Sequence, residues 1–368
     1  MVTRSEDRNQ QIKNILNNLF NEVESNQYKE DSSFTKDIEK LFEGSTWGFR
    51  EVMLIICLCR LFDPKYKASE NLYKYNPRTL YPQIIKPFLD QKNIPNRKDS
   101  ALNITKGISA INKEWAENRR PKNAAEKLVE INNKLENLTK SEVANFTKLL
   151  IRRFLQEAKV VKESNISINK NTDPNFLYYI CKKLIDNTPD YGNTPQRIVG
   201  YFLESYHQDI GSDVVIEGHT DRASTSSTTS NKLGDITEEL SSLNRTLLSY
   251  EVTVKKFDKE RVVTAYEAAK DYVEKSKEEV NEIIVICRRE DVPKDIESKC
   301  DSNLYLGKLF CKDIIFHFLD IYEWIMAQIS RLSIDGRSTF FYKLQGYIHE
   351  TNTSKTVKDE WAKLNPKN

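Results

Sequence analysis

No apolar run in this 368-residue chain is longer than "VMLIICLC", Val52–Cys59. A bilayer span needs roughly 20 such residues, so this run is read as a core helix. The start, "MVTRSEDRNQ", carries charge with no hydrophobic stretch behind it, unlike a secretion signal, and a cytoplasmic protein is expected. The six cysteines show neither a metal spacing nor a disulfide framework, which suits a reducing compartment. His207, His219, His317 and His349 are too far apart in sequence to form a zinc pair or an HNH-type nuclease motif. No G-x-x-x-x-G-K-[ST] occurs, so ATP-driven translocation is unsupported. Neither charge sign dominates: 56 basic against 54 acidic residues leave a net +2, and any nucleic-acid site must be a local patch.

What is present suffices for a folded, wet-surfaced protein: 39% of residues are apolar and 30% charged. The length fits two modest domains or one elaborated one. Residues 1–165 read as a helical region, with apolar positions at three-to-four spacing. "STWGFREVMLIICLCRLFDP" offers a cap at Ser45 or Thr46 and a stop at Pro64, and "RTLYPQIIKPFLDQ" and "AAEKLVEINNKLENL" add further helices. Residues 166–292 change character. A helix opened by Pro195 and stopped by Gly211 is followed by the strand "SDVVIEG" and the polar loop "HTDRASTSSTTSNKL". Two further strands, a helix capped by Asp258 with Val262, Tyr266, Ala269 and Val273 on one face, and the strand "NEIIVIC" complete the order helix, strand, strand, strand, helix, strand. Residues 293–368 read as a mostly helical segment with a polar tail. The fold class expected is α+β, a mixed central sheet flanked by helices.

In "LLSYEVTVK" the period of two puts Leu248, Tyr250, Val252 and Val254 on one face and Ser249, Glu251, Thr253 and Lys255 on the other. A half-exposed strand with solvated charges explains this pattern, and so does a polar face turned to an open cleft. Asp235, after Gly234, precedes Glu251 by sixteen positions. A hairpin through "SSLN" would bring the two carboxylates to one end of a ribbon. Such a pair suits Mg²⁺, which keeps several waters and needs only one or two protein carboxylates. A nearby ammonium suits phosphodiester hydrolysis, by orienting water or stabilising charge on phosphate.

The segment "SDVVIEGHTDRAS…GDI…YEVTVKKFDKERVVTAYEAAKDYVEKSKEEVNEIIVI" resembles the PD-(D/E)XK superfamily, and within it the SacI-like type II restriction endonucleases. The resemblance is best over 212–290 and fainter over 65–115. It implies a nuclease core of helix, three-stranded meander, helix and strand. Asp235 and Glu251 match the two Mg²⁺ ligands of the motif, and Lys255 matches its lysine in the SacI-like form. The usual spacing puts that lysine at position 253, where this chain has Thr253, and Gly234 replaces the motif proline. Glu204 matches an accessory acid of some members and equally suits a surface ion pair. The resemblance further implies sequence-specific cleavage of double-stranded DNA, leaving 5′-phosphate and 3′-hydroxyl ends. It also implies a symmetric homodimer on a palindromic target and a cognate DNA methyltransferase in the same system.

DNA contacts are expected from the helical region and the 219–233 loop, with His219, Arg222, Lys232, Lys256 and Arg261 as candidates. Two alternatives stand beside this reading: a structure-specific repair or recombination nuclease on the same core, and a catalytically inactive nuclease-fold DNA-binding protein. The clusters "NRRPK", "IRR", "KKFDKER" and "ICRR" suit phosphate contacts or solvated faces equally. "TDPNF" resembles the DNA amino-methyltransferase tetrapeptide, but the glycine-rich cofactor loop those enzymes need is missing.

Overall fold

The structure, a computed structural model, describes residues 4–43, 47–97, 101–221, 233–243, 245–276, 279–297 and 301–364. The chain divides into two compact units, Met1–Glu163 and Ser164–Asn368. It is an α+β chain with one six-stranded, mixed, open sheet.

The first unit is built on five longer helices: α1 (Arg4–Glu24), α2 (Ser32–Leu41), α3 (Trp47–Phe62), α4 (Lys122–Leu135) and α5 (Lys140–Glu163). Helix α3 contains the apolar run, and Val52–Cys59 are buried on every side, so it serves as the core helix expected. Among the described residues no helix is long and apolar enough to cross a membrane. The expected cap at Ser45 or Thr46 lies outside the described residues. Helix α2 is capped by Asp31, whose carboxylate accepts from the Ser33 and Phe34 N–H groups at 2.9 and 3.1 Å. "RTLYPQIIKPFLDQ" is helical in three pieces, Pro77–Leu80, a wide π-turn at Tyr81–Ile85, and Lys86–Gln91. Pro82 and Pro87 lack the N–H groups that a regular ladder would need there.

Arg50 and Glu51 are charged groups buried deep inside this unit. Arg50 pairs with Glu157, and Glu51 accepts from the Tyr81 hydroxyl and from the Arg97 N–H at 2.8 Å. Burial pushes the Glu51 carboxyl up to about 7 in spite of these donors.

The second unit begins with α6 (Pro174–Asn187) and α7 (Asn193–Asp209). Asp173 caps α6, accepting from Asn175 and Phe176 N–H at 2.9 and 3.0 Å, with Pro174 in the first turn, so "TDPNF" is a helix start. The sheet follows: β1 (Val214–Glu217), β2 (Ile236–Leu240), β3 (Arg245–Val252), helix α8 (Lys259–Ser276) and β4 (Glu282–Cys287). These elements come in the order read from the sequence.

The expectation of helix after residue 293 is corrected over 305–320. There β5 (Tyr305–Cys311) and β6 (Ile314–Asp320) form a hairpin that completes the sheet. In "IIFHFLD" Ile314, Phe316, Phe318 and Asp320 are buried while Ile315, His317 and Leu319 are only partly so. That is a period of two, masked in sequence because both faces carry apolar residues. Helices α9 (Ile321–Arg331), α10 (Ile334–His349) and α11 (Lys355–Lys363) finish the unit.

Strand order is β1-β2-β3-β4-β6-β5. The β1-β2-β3 meander is antiparallel, β3-β4 and β4-β6 are parallel, and β6-β5 is antiparallel. One face packs Ile216, Ile236, Tyr250, Val252 and Ile286 with residues of α6, α7 and α9–α11. The other packs Ile283, Val285, Phe316 and Phe318 with Phe257, Val262, Tyr266 and Ala269 at α8. The candidate residues Asp235 and Glu251 lie at the end of the meander, on the α8 side.

A pH test follows from Glu51. Its proton affinity is raised on folding from 4.5 to about 7, so its contribution to stability is full below pH 4.5 and is lost as pH rises through 7. The loss amounts to about 3 kcal/mol. Amide exchange in α3 is expected to accelerate between pH 5 and pH 8, after correction for intrinsic exchange. Glu51→Gln should flatten that dependence, and an unchanged slope in the variant would assign it elsewhere.

Candidate active site

Two elements set Asp235 in place. The register pairs Ile236 with Tyr250, so Asp235, one residue earlier, comes beside Glu251, one residue later. Asp235 is tied to β3 twice: its N–H donates to the Tyr250 carbonyl, and its Oδ2 accepts from the Val252 N–H, both at 2.9 Å. Gly234 makes this approach possible. Its φ is +145°, and a Cβ there would lie 2.7 Å from Ser249 Oγ and 2.9 Å from the Tyr250 carbonyl. Glycine at position 234 is therefore a steric requirement of this strand start.

Sequence reasoning missed Gln196 of α7. Its Nε2 donates to the Gly218 carbonyl at 2.9 Å and approaches that of Asp235 at 3.4 Å, tying the end of β1 to the head of β2. Gln196 is buried, and nothing in its sequence surroundings marks it.

Asp235 and Glu251 are each half-buried and face one another's charge. Burial raises the proton affinity of Asp235, against the Val252 N–H and the Arg261 guanidinium, which lower it. Burial and then the Asp235 charge raise that of Glu251, again opposed by Arg261. Two crowded carboxylates with hard oxygen donors form the donor set that Mg²⁺ takes, and a divalent cation would relieve their repulsion. Among the described residues no group of three or more His, Cys, Asp or Glu side chains is placed to hold a metal ion.

Their sheet face is not the open one expected. Ser249 and Thr253 are both buried. Ser249 Oγ donates to the Leu233 carbonyl, and Thr253 Oγ1 accepts from Arg261 Nη1 at 2.6 Å.

Lys255 lies beyond the strand that carries that face. Strand β3 ends at Val252, the Thr253 N–H still donates to the Ile286 carbonyl at 3.0 Å, and the chain then bends at Val254 and Lys255. Arg288 Nη2 holds the Val254 carbonyl at 2.7 Å, and the Phe257 N–H reaches the Asp291 carbonyl at 2.7 Å as its ring enters the α8 core. The alternation in "SYEVTVK" therefore continues past the point where β4 can pair it, and Lys255 is left exposed. The cation that acts on both carboxylates is Arg261, named from sequence only as a DNA contact.

Glu204 stands apart from the pair. Lys343 Nζ lies 3.0 Å from its Oε2 and His219 Nε2 3.5 Å, and these neighbours, His219 first, hold its carboxyl down to about 2. The ion-pair alternative is the one the structure supports.

His219 is corrected as a groove-reaching side chain. It is 4% exposed and packed against α7, where a Cβ on Gly200 would meet its own Cβ at 2.1 Å. Its ring lies edge-on to Tyr201, centroids 5.4 Å apart. Arg222 and Lys232 lie outside the described residues, as does most of the 219–233 loop. Lys256 is exposed beside the bend.

The basic clusters are largely engaged at home. Arg152 pairs with Glu30 and Arg153 with Glu39; Arg288 pairs with Asp291 at 2.6 Å; Arg289 donates to the Asn303 carbonyl. In "NRRPK" Arg119 and Arg120 donate to backbone carbonyls, and in "KKFDKER" Lys259 pairs with Asp295 at 2.6 Å.

The crowding has a consequence for stability. Both carboxyls have raised proton affinities, so their cost is absent at low pH, where both are protonated, and grows as pH rises through the neutral range. Asp235→Asn keeps an acceptor for the Val252 N–H and removes one charge. Metal-free Asp235→Asn should therefore exceed the parent chain in urea stability at pH 8 by about 1–2 kcal/mol and match it at pH 4. Equal curves at pH 8 would rule out the repulsion. No protein-family model matches this chain, and no curated protein matches it.

Proposed function

We propose that this protein is a Mg²⁺-dependent type II restriction endonuclease of the PD-(D/E)XK superfamily, hydrolysing phosphodiesters of double-stranded DNA to 5′-phosphate and 3′-hydroxyl ends. The observation that carries the reading is the approach of Asp235, one residue before the Ile236–Tyr250 pair, to Glu251, one residue after it, on the α8 side of the sheet. The order α7, β1-β2-β3, α8, β4 around that pair supports it. So does the wording of the sequence itself, whose Gly-Asp and Glu-Val-x-x-Lys segments resemble SacI-like enzymes.

In this reading Asp235 and Glu251 hold the ion. Mg²⁺ supplies Lewis-acid polarisation of the phosphodiester and of a neighbouring water. The chain's own contribution is rigidity. Val252 N–H, Tyr250 carbonyl, Gln196 and Gly218 fix the backbone and carboxylate of Asp235 before substrate arrives. Lys256, exposed at the bend, suits a phosphate contact. A palindromic target implies a two-fold homodimer, and protection of the host genome implies a partner methyltransferase.

The second reading is a nuclease-fold DNA-binding protein without activity. What favours it is Lys255, which lies off the strand that bears Glu251. Incubating the full chain with a sequenced phage genome and Mg²⁺ separates the two. The expected result is discrete fragments with ends at one short sequence, abolished by EDTA and lowered at least about 10³-fold by Asp235→Ala or Glu251→Ala. Intact DNA that is nevertheless bound would select the inactive reading. Cleavage surviving both substitutions would move the active site elsewhere.

A further inference from the structure

We propose that Arg261, and not Lys255, is the cation of the Asp235–Glu251 site, and that its guanidinium receives an oxygen of the scissile phosphate. This rests on the nuclease reading and assigns one more role within it. Arg261 stands in the first turn of α8, where its N–H donates to the capping Asp258 carboxylate at 3.1 Å. Its side chain turns back to the sheet, and Nη1 donates to Thr253 Oγ1 at 2.6 Å. Thr253 is two residues beyond Glu251, so the bond sets the guanidinium beside the face that carries the carboxylates. The guanidinium carbon lies 4.9 Å from the Phe257 ring centroid, and Phe257 is itself fully buried. A hydrogen bond on one edge and an aromatic ring thus restrict the plane of the fork.

What the guanidinium does not touch is equally informative. Its charge is felt by both Asp235 and Glu251, yet among the described residues no ion pair within 4.0 Å joins it to either. An arginine present only to neutralise the acids would close on one of them in a two-pronged contact. The guanidinium is thus held near both acids without closing on either. That arrangement suits a ligand which is both an anion, for the guanidinium, and a carrier of metal, for the carboxylates; a phosphodiester with Mg²⁺ is both. A planar guanidinium with its five donors suits binding and stabilising negative charge on a phosphate. Thr253, where the common form of the motif has its lysine, is then the anchor of a cation delivered from the following helix. Lys255 is exposed, and its backbone N–H is spent on Thr253 Oγ1 at 3.1 Å.

The experiment compares the full-length parent chain with Asp235→Asn, Arg261→Gln, Arg261→Lys and Lys255→Ala, each checked by thermal unfolding. Mg²⁺ binding without DNA is read by calorimetry, and DNA cleavage is read under single turnover. Arg261→Gln removes a charge that repels the ion, so Mg²⁺ should bind about tenfold more tightly, while cleavage should fall by about 10²–10³-fold. Arg261→Lys should keep the parent Mg²⁺ affinity within about twofold and recover part of the cleavage. Lys255→Ala should leave both readouts within about threefold of the parent. If Asp235→Asn loses Mg²⁺ binding while Arg261→Gln changes neither readout, the role of Arg261 is overturned and the metal site stands. A large loss of cleavage in Lys255→Ala also overturns it. If Asp235→Asn binds Mg²⁺ as the parent does, the nuclease reading fails, and the role of Arg261 fails with it.

Discussion

The second unit is arranged around one electrostatic conflict. Asp235, just before β2, comes beside Glu251 on the adjacent antiparallel strand; both are half out of water, and the Asp235 charge raises the cost of ionising Glu251. Neutral isosteres would satisfy the same backbone hydrogen bonds at lower cost. Much of the surrounding detail serves to keep the two acids together. Gly234 lets β2 start within van der Waals distance of β3, Gln196 ties the β1 end to it, and Asp235 accepts from β3 in place of a ladder carbonyl. Strain of this kind is expected where a site is built for a ligand that resolves it.

The sheet converts that local conflict into a positioned site. Because β3 pairs antiparallel with β2 and parallel with β4, its far end is held on both sides, and the acid on it cannot slip in register. The two apolar faces do the rest. The cluster against α7, α9 and α10 supports the strands from behind, while α8 covers the other face and brings Arg261 to the end of β3. The β5-β6 hairpin extends the same sheet and supplies Phe316 and Phe318 to the α8 core.

Comparison of sequence with structure shows where one-dimensional patterns hold. The α3 core helix, the α7 helix, the three-stranded meander, α8 and β4 were all legible, because each carries its own periodicity and its own start or stop residue. The β5-β6 hairpin was not, since apolar side chains on both faces erase the alternation that identifies a strand. His219 lay next to a polar loop and looked solvent-facing. The space left by Gly200, nineteen positions earlier, buries it instead.

Asp235, Glu251 and the element order around them were determined by the sequence itself. Glycine before aspartate, and a glutamate in a period-two strand sixteen residues on, already imply a hairpin with its acids at one end. Which cation stands with them was decided only by the tertiary structure. Alternation carries on through Lys255, but a strand lasts only as long as its neighbour can pair it, and the bond from Thr253 N–H to the Ile286 carbonyl is the last that β4 accepts there. The chain bends there as Phe257 enters the α8 core, leaving Lys255 exposed, and Arg261 in the first turn of α8 returns to Thr253. Both effects depend on partners distant in sequence, and local spacing carries no information about either.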